Sequence, residues 1–194
     1  MKLSLDLSYQ TPKEWANVVL SDFDAFLQDH ADCERKASSM AMSLVAKAPD
    51  KTKIIPGLID TALEELEHFQ MVYQVMEKRG VMLPREMEKD MYIHDLVAKC
   101  RHGAEERFLD RLLLGSIIEC RGAERFRLVA EALEPGELKD FYKMLWTSEA
   151  KHGNIYVKFA LEYYEEQEVF NRLEELNQAE GEICAQLKWR PALH

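Results

Sequence analysis

Four long stretches of this sequence carry an apolar stripe in alternating steps of three and four residues, and each stripe is interrupted once by a glutamate. The first reads Phe23, Leu27, His30/Ala31, Glu34, Ala37/Ser38, Ala41, Leu44/Val45. The second reads Leu58, Ala62, Glu65, His68/Phe69, Val72, Met76. The third runs Leu112, Ser116, Glu119, Ala123, Phe126, Ala130, Leu133, and the fourth Tyr142, Leu145/Trp146, Glu149, His152/Gly153, Tyr156, Phe159, Tyr163. Such spacing builds helices that bury one face against each other. A carboxylate in that face costs several kcal/mol unless it is compensated. Four of them call for something positive between the helices.

Composition and punctuation agree with a helical chain. Only 8 Gly and 6 Pro occur in 194 residues, and 47% of the residues are apolar. This excludes an all-β fold and supplies enough apolar side chains for one sizeable core, so residues 1–194 read as a single domain. Thr11-Pro12-Lys13-Glu14 has the form of a capping box that opens a short helix. Long helices are expected from Ser21 to about Lys47, from Pro56 or slightly earlier to Gly80, from about Ala104 to Leu133, and from about Glu137 to Tyr164. A shorter amphipathic helix is expected over 84–102, inside a long connection, and an acidic fifth helix from about Gln167 to Leu187. No stretch alternates like a strand.

The same reading narrows the function classes. The longest apolar run, Leu112 to Ile118, is far too short to span a bilayer, and the N-terminus lacks the apolar core of a secretory signal. Cysteines 33, 100, 120 and 184 form no CxxC pair, which removes zinc ribbons and rubredoxin-type iron sites and makes the cytoplasm the expected compartment. There is no GxGxxG and no phosphate loop. The net charge of −10 is concentrated: between Glu162 and Glu182 there are eight Glu against one Arg. The remainder is only mildly acidic, so a nucleic-acid partner is not excluded, although a strongly basic DNA-binder is.

Two of the buried glutamates begin Glu-x-x-His, as Glu65-Leu-Glu-His68 and Glu149-Ala-Lys-His152. Residues three apart share a helix face, so a carboxylate and an imidazole converge. Glu34 precedes Glu65 by 31 residues, and Glu119 precedes Glu149 by 30. The chain thus repeats the order lone Glu, then Glu-x-x-His. This is the pattern of four-helix bundles that hold two iron or two manganese ions with four glutamates and two histidines. Glu34, Glu65, His68, Glu119, Glu149 and His152 are the candidate ligands. Four carboxylates and two neutral imidazoles balance two divalent ions.

Competing assignments exist. Glu124 rivals Glu119, but it lies off the seam and breaks the spacing match. Glu64 and Glu67 read as surface charges. His30, one turn before Glu34, reads either as support for that ligand or as core. His94, His102 and His194 have no geometric case. Phe23, Phe69, Phe126 and Tyr156 read first as core aromatics that can also line a cavity. The small residues Ala37, Ser38, Ala41, Gly115, Ser116, Gly122 and Ala123 either permit close helix packing or leave room beside the metals.

The segments TPKEWANVVLSDFDAFLQDHADCERKASSMAMSLV, EELEHFQMVYQVMEKRG, GSIIECRGAERFRLVAEAL and FYKMLWTSEAKHGNIYVKFAL resemble the MiaE-type tRNA hydroxylases, from Thr11 to about Leu161. The resemblance implies an all-α, ferritin-like four-helix bundle with a long crossover and extra N- and C-terminal helices. It implies a di-iron, O2-dependent monooxygenase that hydroxylates the isopentenyl group of 2-methylthio-N6-isopentenyladenosine in tRNA, with two iron ions held by the six candidates. The donor set itself does not separate iron from manganese. Dioxygen and an external electron-transfer protein or reductase are the implied partners, since no flavin or nicotinamide site is visible. Lys99, Arg101, Arg107, Arg111, Arg121, Arg125 and Arg127 read either as phosphate contacts or as a solvated helix face. The rival function is bacterioferritin-type ferroxidation and iron storage, with the same ligand order. A rubrerythrin-type peroxidase is weakened by the missing cysteine pairs. The long connection and the terminal helices favour a monomer or small oligomer over a storage shell.

Overall fold

The computed structural model describes residues 5–194, and every regular element among them is helical. In chain order these are α1 (Trp15–Ser21), α2 (Phe23–Lys47), α3 (Ile55–Arg79), α4 (Met91–Val97), α5 (Ala104–Ala132), α6 (Glu137–Leu161) and α7 (Glu166–Gln186). The four long helices lie within a few residues of their expected bounds. Their ends carry the chemistry that stops a helix. Asp22 accepts a hydrogen bond from the Ala25 amide at the start of α2, and Pro56 occupies the first turn of α3. Gly80 takes φ 71°, the left-handed conformation that lets the Val81 amide turn back to Met76 O.

The described chain forms two compact units. One comprises residues 17–89 and 189–194, and its body is the α2–α3 hairpin. Leu27, Ala31, Ala41 and Leu44 on α2, with Leu58, Val72 and Met76 on α3, are buried. Ser38 Oγ donates to Ala62 O across the hairpin at 2.8 Å, and Arg79 clasps Asp24 through two nitrogens. Residues 189–194 end this unit: Ala192 and Leu193 are buried, and the Leu193 amide donates to Asp29 on α2 at 2.7 Å.

The other unit holds residues up to Ala16 and 90–188. Here α5 packs along α6, and α7 packs on α5, α6 and α4. Two glycines set the α5–α6 approach. A Cβ on Gly115 would sit 3.0 Å from the Tyr156 ring, and one on Gly153 would sit 2.6 Å from Cys120 Sγ and 3.3 Å from Ser116 O. The expectation that small residues permit close helix packing therefore holds at Gly115; at Gly122 a Cβ would meet nothing within 4 Å.

Three local expectations need correction. Thr11 does not cap α1. Its amide and hydroxyl both donate to the Glu124 carboxylate, at 2.8 and 2.7 Å, and α1 begins only at Trp15 after a turn. The helix expected over 84–102 is reduced to the seven residues of α4, which starts where Asp90 caps the Ile93 amide. Pro84 and the charged run after it stay irregular. Several of the arginines taken as possible phosphate contacts are structural. Arg121 and Arg125 are buried, Arg125 over the Trp15 ring at 5.2 Å, while Arg101 is fixed on Asp110.

Asp110 is itself fully buried and receives both Arg101 and Arg172, with the Arg101 amide as a further donor. Burial alone would raise its pKa, but the Arg172 and Arg101 bonds outweigh that and hold the carboxyl below its ordinary value. A carboxyl with a lowered folded pKa contributes stability above its unfolded value of about 3.9, and loses it as pH falls through the folded one. The Asp110→Asn protein is therefore expected to melt lower at neutral pH and to lose less stability between pH 5 and 2 than wild type. Thermal melts across that range check it, and parallel acid limbs for the two proteins would refute it.

Candidate metal centre

The α2–α3 hairpin gathers half of the expected ligand set. Glu34 on α2 and Glu65 and His68 on α3 are all buried. His68 Nδ1 lies 3.4 Å from Glu65 Oε2 and 3.9 Å from Glu34 Oε2, so the three groups converge within this hairpin. The i, i+3 spacing on α3 brings the first two together, and the register fixed by Ser38 and Ala62 brings in the third. Behind Glu34 stands His30, fully buried, with Nε2 hydrogen-bonded to Glu34 Oε1 at 2.6 Å. Of the two readings of His30, the structure supports the one in which it steadies the neighbouring carboxylate.

The α5–α6 pair carries the second set. Glu149 and His152 are buried on α6, with His152 Nδ1 3.3 Å from Glu149 Oε2. Glu119 is buried on α5, on the face shared with Ser116, Ala123 and Phe126. Glu124 is elsewhere: its carboxylate accepts from Thr11 and from Arg121 Nη1, which commits it to holding the N-terminal segment. Tyr156 and Phe126 are buried in the same unit, as expected of core aromatics.

Each set offers two carboxylates and one imidazole, all buried. Hard oxygen donors with an imidazole nitrogen suit iron or manganese in the divalent state, so the donor chemistry fits the expected metals. Two of the four thiols are held neutral by burial. Burial pushes Cys120 up to about 11 and Cys184 to about 12, which keeps both protonated at neutral pH.

Sequence reasoning missed the polar knot beside this site. Arg121, two residues after Glu119, is fully buried and forks onto the equally buried Glu180 of α7, with Nε–Oε1 2.7 Å and Nη2–Oε2 2.8 Å. It also donates to Glu124, Thr11 Oγ1 and Tyr9 O, while Tyr92 and Cys184 donate to Glu180. The signal was available: Leu173, Leu176, Glu180, Cys184 is a buried stripe of α7 interrupted by a glutamate, as in the other long helices.

Comparison with known proteins places the chain. Residues 3–194 match the family model tRNA-(MS[2]IO[6]A)-hydroxylase (MiaE). The chain belongs to the MiaE family. A family relative from Pseudomonas putida, a tRNA 2-(methylsulfanyl)-N(6)-isopentenyladenosine(37) hydroxylase, is 36% identical over 177 residues, covering 91% of this chain and 85% of the relative. A hydroxylase of the same description from Salmonella typhimurium is 28% identical over 167 residues; the match takes in 81% of this chain and 61% of that protein. Among solved structures, Protein 43 with aldehyde deformylating oxygenase activity from Synechococcus superposes with a TM-score of 0.91 at 31% identity, over 97% of this chain and 94% of that one. The all-α, ferritin-like fold expected from the sequence is thus the fold of this MiaE-family chain.

Proposed function

We propose that this chain is a di-iron, dioxygen-dependent hydroxylase that acts on the isopentenyl group of 2-methylthio-N6-isopentenyladenosine in tRNA. Its six iron ligands are Glu34, Glu65, His68, Glu119, Glu149 and His152, which serve a single ferritin-like domain. Membership of the MiaE family carries the reaction. Supporting the ligand set is the burial of a Glu plus a Glu-x-x-His in each helix pair. Bound iron would supply the activation of dioxygen that no side chain can provide. The residues hold that chemistry in place. The carboxylates offset the metal charge, His30 fixes Glu34, and the buried Phe126 and Tyr156 add to an apolar surround that keeps water from competing.

No helix among the described residues is long and apolar enough to cross a membrane. The working form we propose is a cytoplasmic monomer or small oligomer, with electrons delivered by a separate reductase or electron-transfer protein. Incubating the iron-loaded protein with dioxygen, a reductant and tRNA carrying the prenylated adenosine tests the reading. Nucleoside mass spectrometry is expected to show one added oxygen atom. Unchanged nucleoside with steady oxygen consumption would instead indicate an oxidase, and mineral cores under iron loading would indicate storage.

A further inference from the structure

Beyond its acidic first turn, which holds Glu137 and Asp140, the exposed side of α6 carries only basic charge. From Phe141 to Leu161 its charged residues are Lys143, Lys151 and Lys158, with one acid, Glu149, which is buried. At 100° per residue the three lysines fall on one side of the helix, over about 22 Å. Lys143 sits near Asp140 at 3.3 Å, but Lys151 and Lys158 are exposed and enter no ion pair among the described residues. Beside this stripe lies a groove of about 440 Å³ between α5, α6 and the N-terminal segment. Trp146, Ala150 and Asn154 line it from α6, and Ala123 and Arg127 from α5, Arg127 in an exposed pair with Glu131 at 3.3 Å. Of its two carboxylates, Asp6 and Glu124, the second is taken up by Arg121 and Thr11.

We propose that this groove and the lysines beside it form the docking surface for a single-stranded loop of the substrate RNA, with Trp146 stacking on a base and Lys151, Lys158 and Arg127 meeting phosphates. The inference rests on the proposed tRNA hydroxylation and assigns its RNA contacts. An aromatic ring in a groove with cations alongside is an arrangement that holds unpaired nucleotides. Lys151 follows Glu149 by two residues and Trp146 precedes it by three, so RNA on this face lies against the helix that carries two candidate ligands. The surface keeps only Arg127 of the Lys99–Arg127 cluster expected from sequence, in which Arg101, Arg121 and Arg125 have structural partners.

The test uses the iron-loaded protein and a synthetic RNA hairpin with a short single-stranded loop, followed by fluorescence anisotropy between about 50 and 200 mM salt. The Lys151→Glu/Lys158→Glu protein is expected to bind about tenfold or more weakly, with the slope of log affinity against log salt reduced by about 1 to 2. Trp146→Ala is expected to bind roughly tenfold more weakly with the slope unchanged. A Lys99→Glu/Arg107→Glu control should bind as wild type. Iron content and melting temperature, measured on all three, identify any loss that comes from misfolding. Wild-type affinity and slope in the Lys151/Lys158 variant, or a larger loss in the control, overturns the assignment while leaving tRNA hydroxylation standing. A wild-type protein that hydroxylates no tRNA and binds no hairpin brings down both.

Discussion

Protein carrying Glu119→Ala should purify with most of its iron gone, on the order of tenfold or more weakly bound, whereas Glu124→Ala should keep it. The two glutamates are five residues apart on α5, and the structure gives them different work. Glu119 is buried on the face it shares with Ser116, Ala123 and Phe126. Glu124 is bonded through both oxygens, to the Thr11 amide and hydroxyl and to Arg121. Its loss leaves Arg121 Nη1 with a weaker partner in Thr11 Oγ1, so Glu124→Ala should cost about 1–3 kcal/mol of stability. Metal analysis paired with thermal melts separates the two effects. Full iron in the Glu119 variant, or iron lost from the Glu124 variant without unfolding, would reverse the assignment.

The largest stability loss is expected at Glu180. Removing this buried carboxylate takes away both of its bonds to the guanidinium and leaves Glu124, on Nη1, as the remaining counter-charge of a buried arginine, a loss of about 3–5 kcal/mol. For a chain of this size that corresponds to a melting point lower by roughly 10 °C in Glu180→Ala. Arg121 lacks an easy escape, being fully buried with α5, α7 and the N-terminal segment around it. Replacing both partners, as Arg121→Met with Glu180→Leu, removes the charge along with one counter-charge and leaves Glu124 its two Thr11 bonds, so it should recover part of the loss. A single variant that melts within about 2 °C of wild type would show that water reaches the guanidinium and that the knot carries little.

The long helices and the burial of their seam glutamates were legible because periodicity, caps and the Gly80 stop act locally, and each is written in a few consecutive residues. The features that were not legible depend on partners far away in sequence. Thr11 has the residues of a capping box, but Glu124, 113 positions later, offers its amide and hydroxyl a better acceptor. Arg121 and Arg125 looked like surface cations because arginine usually is one; their burial is decided by Glu180 and by Trp15. Lys151 and Lys158 drew no notice in sequence, since only the groove beside Trp146 gives two lysines on one helix a shared purpose. The sequence separated Glu119 from Glu124 by seam position and by the spacing of the two half-repeats, and the structure adds that Glu124 is bonded to Thr11 and Arg121.

The short turns within each helix pair bear on the order in which the chain folds. Only residues 48–54 separate α2 from α3, and only 133–136 separate α5 from α6. Closing loops this short costs little chain entropy, and hairpins of neighbouring helices form early because their contacts are local. Glu34 meets Glu65 and His68 through such a contact. Each half of the expected donor set thus lies within a local hairpin, which is expected to form before the Thr11–Glu124 and Arg121–Glu180 bonds join residues 113 and 59 positions apart.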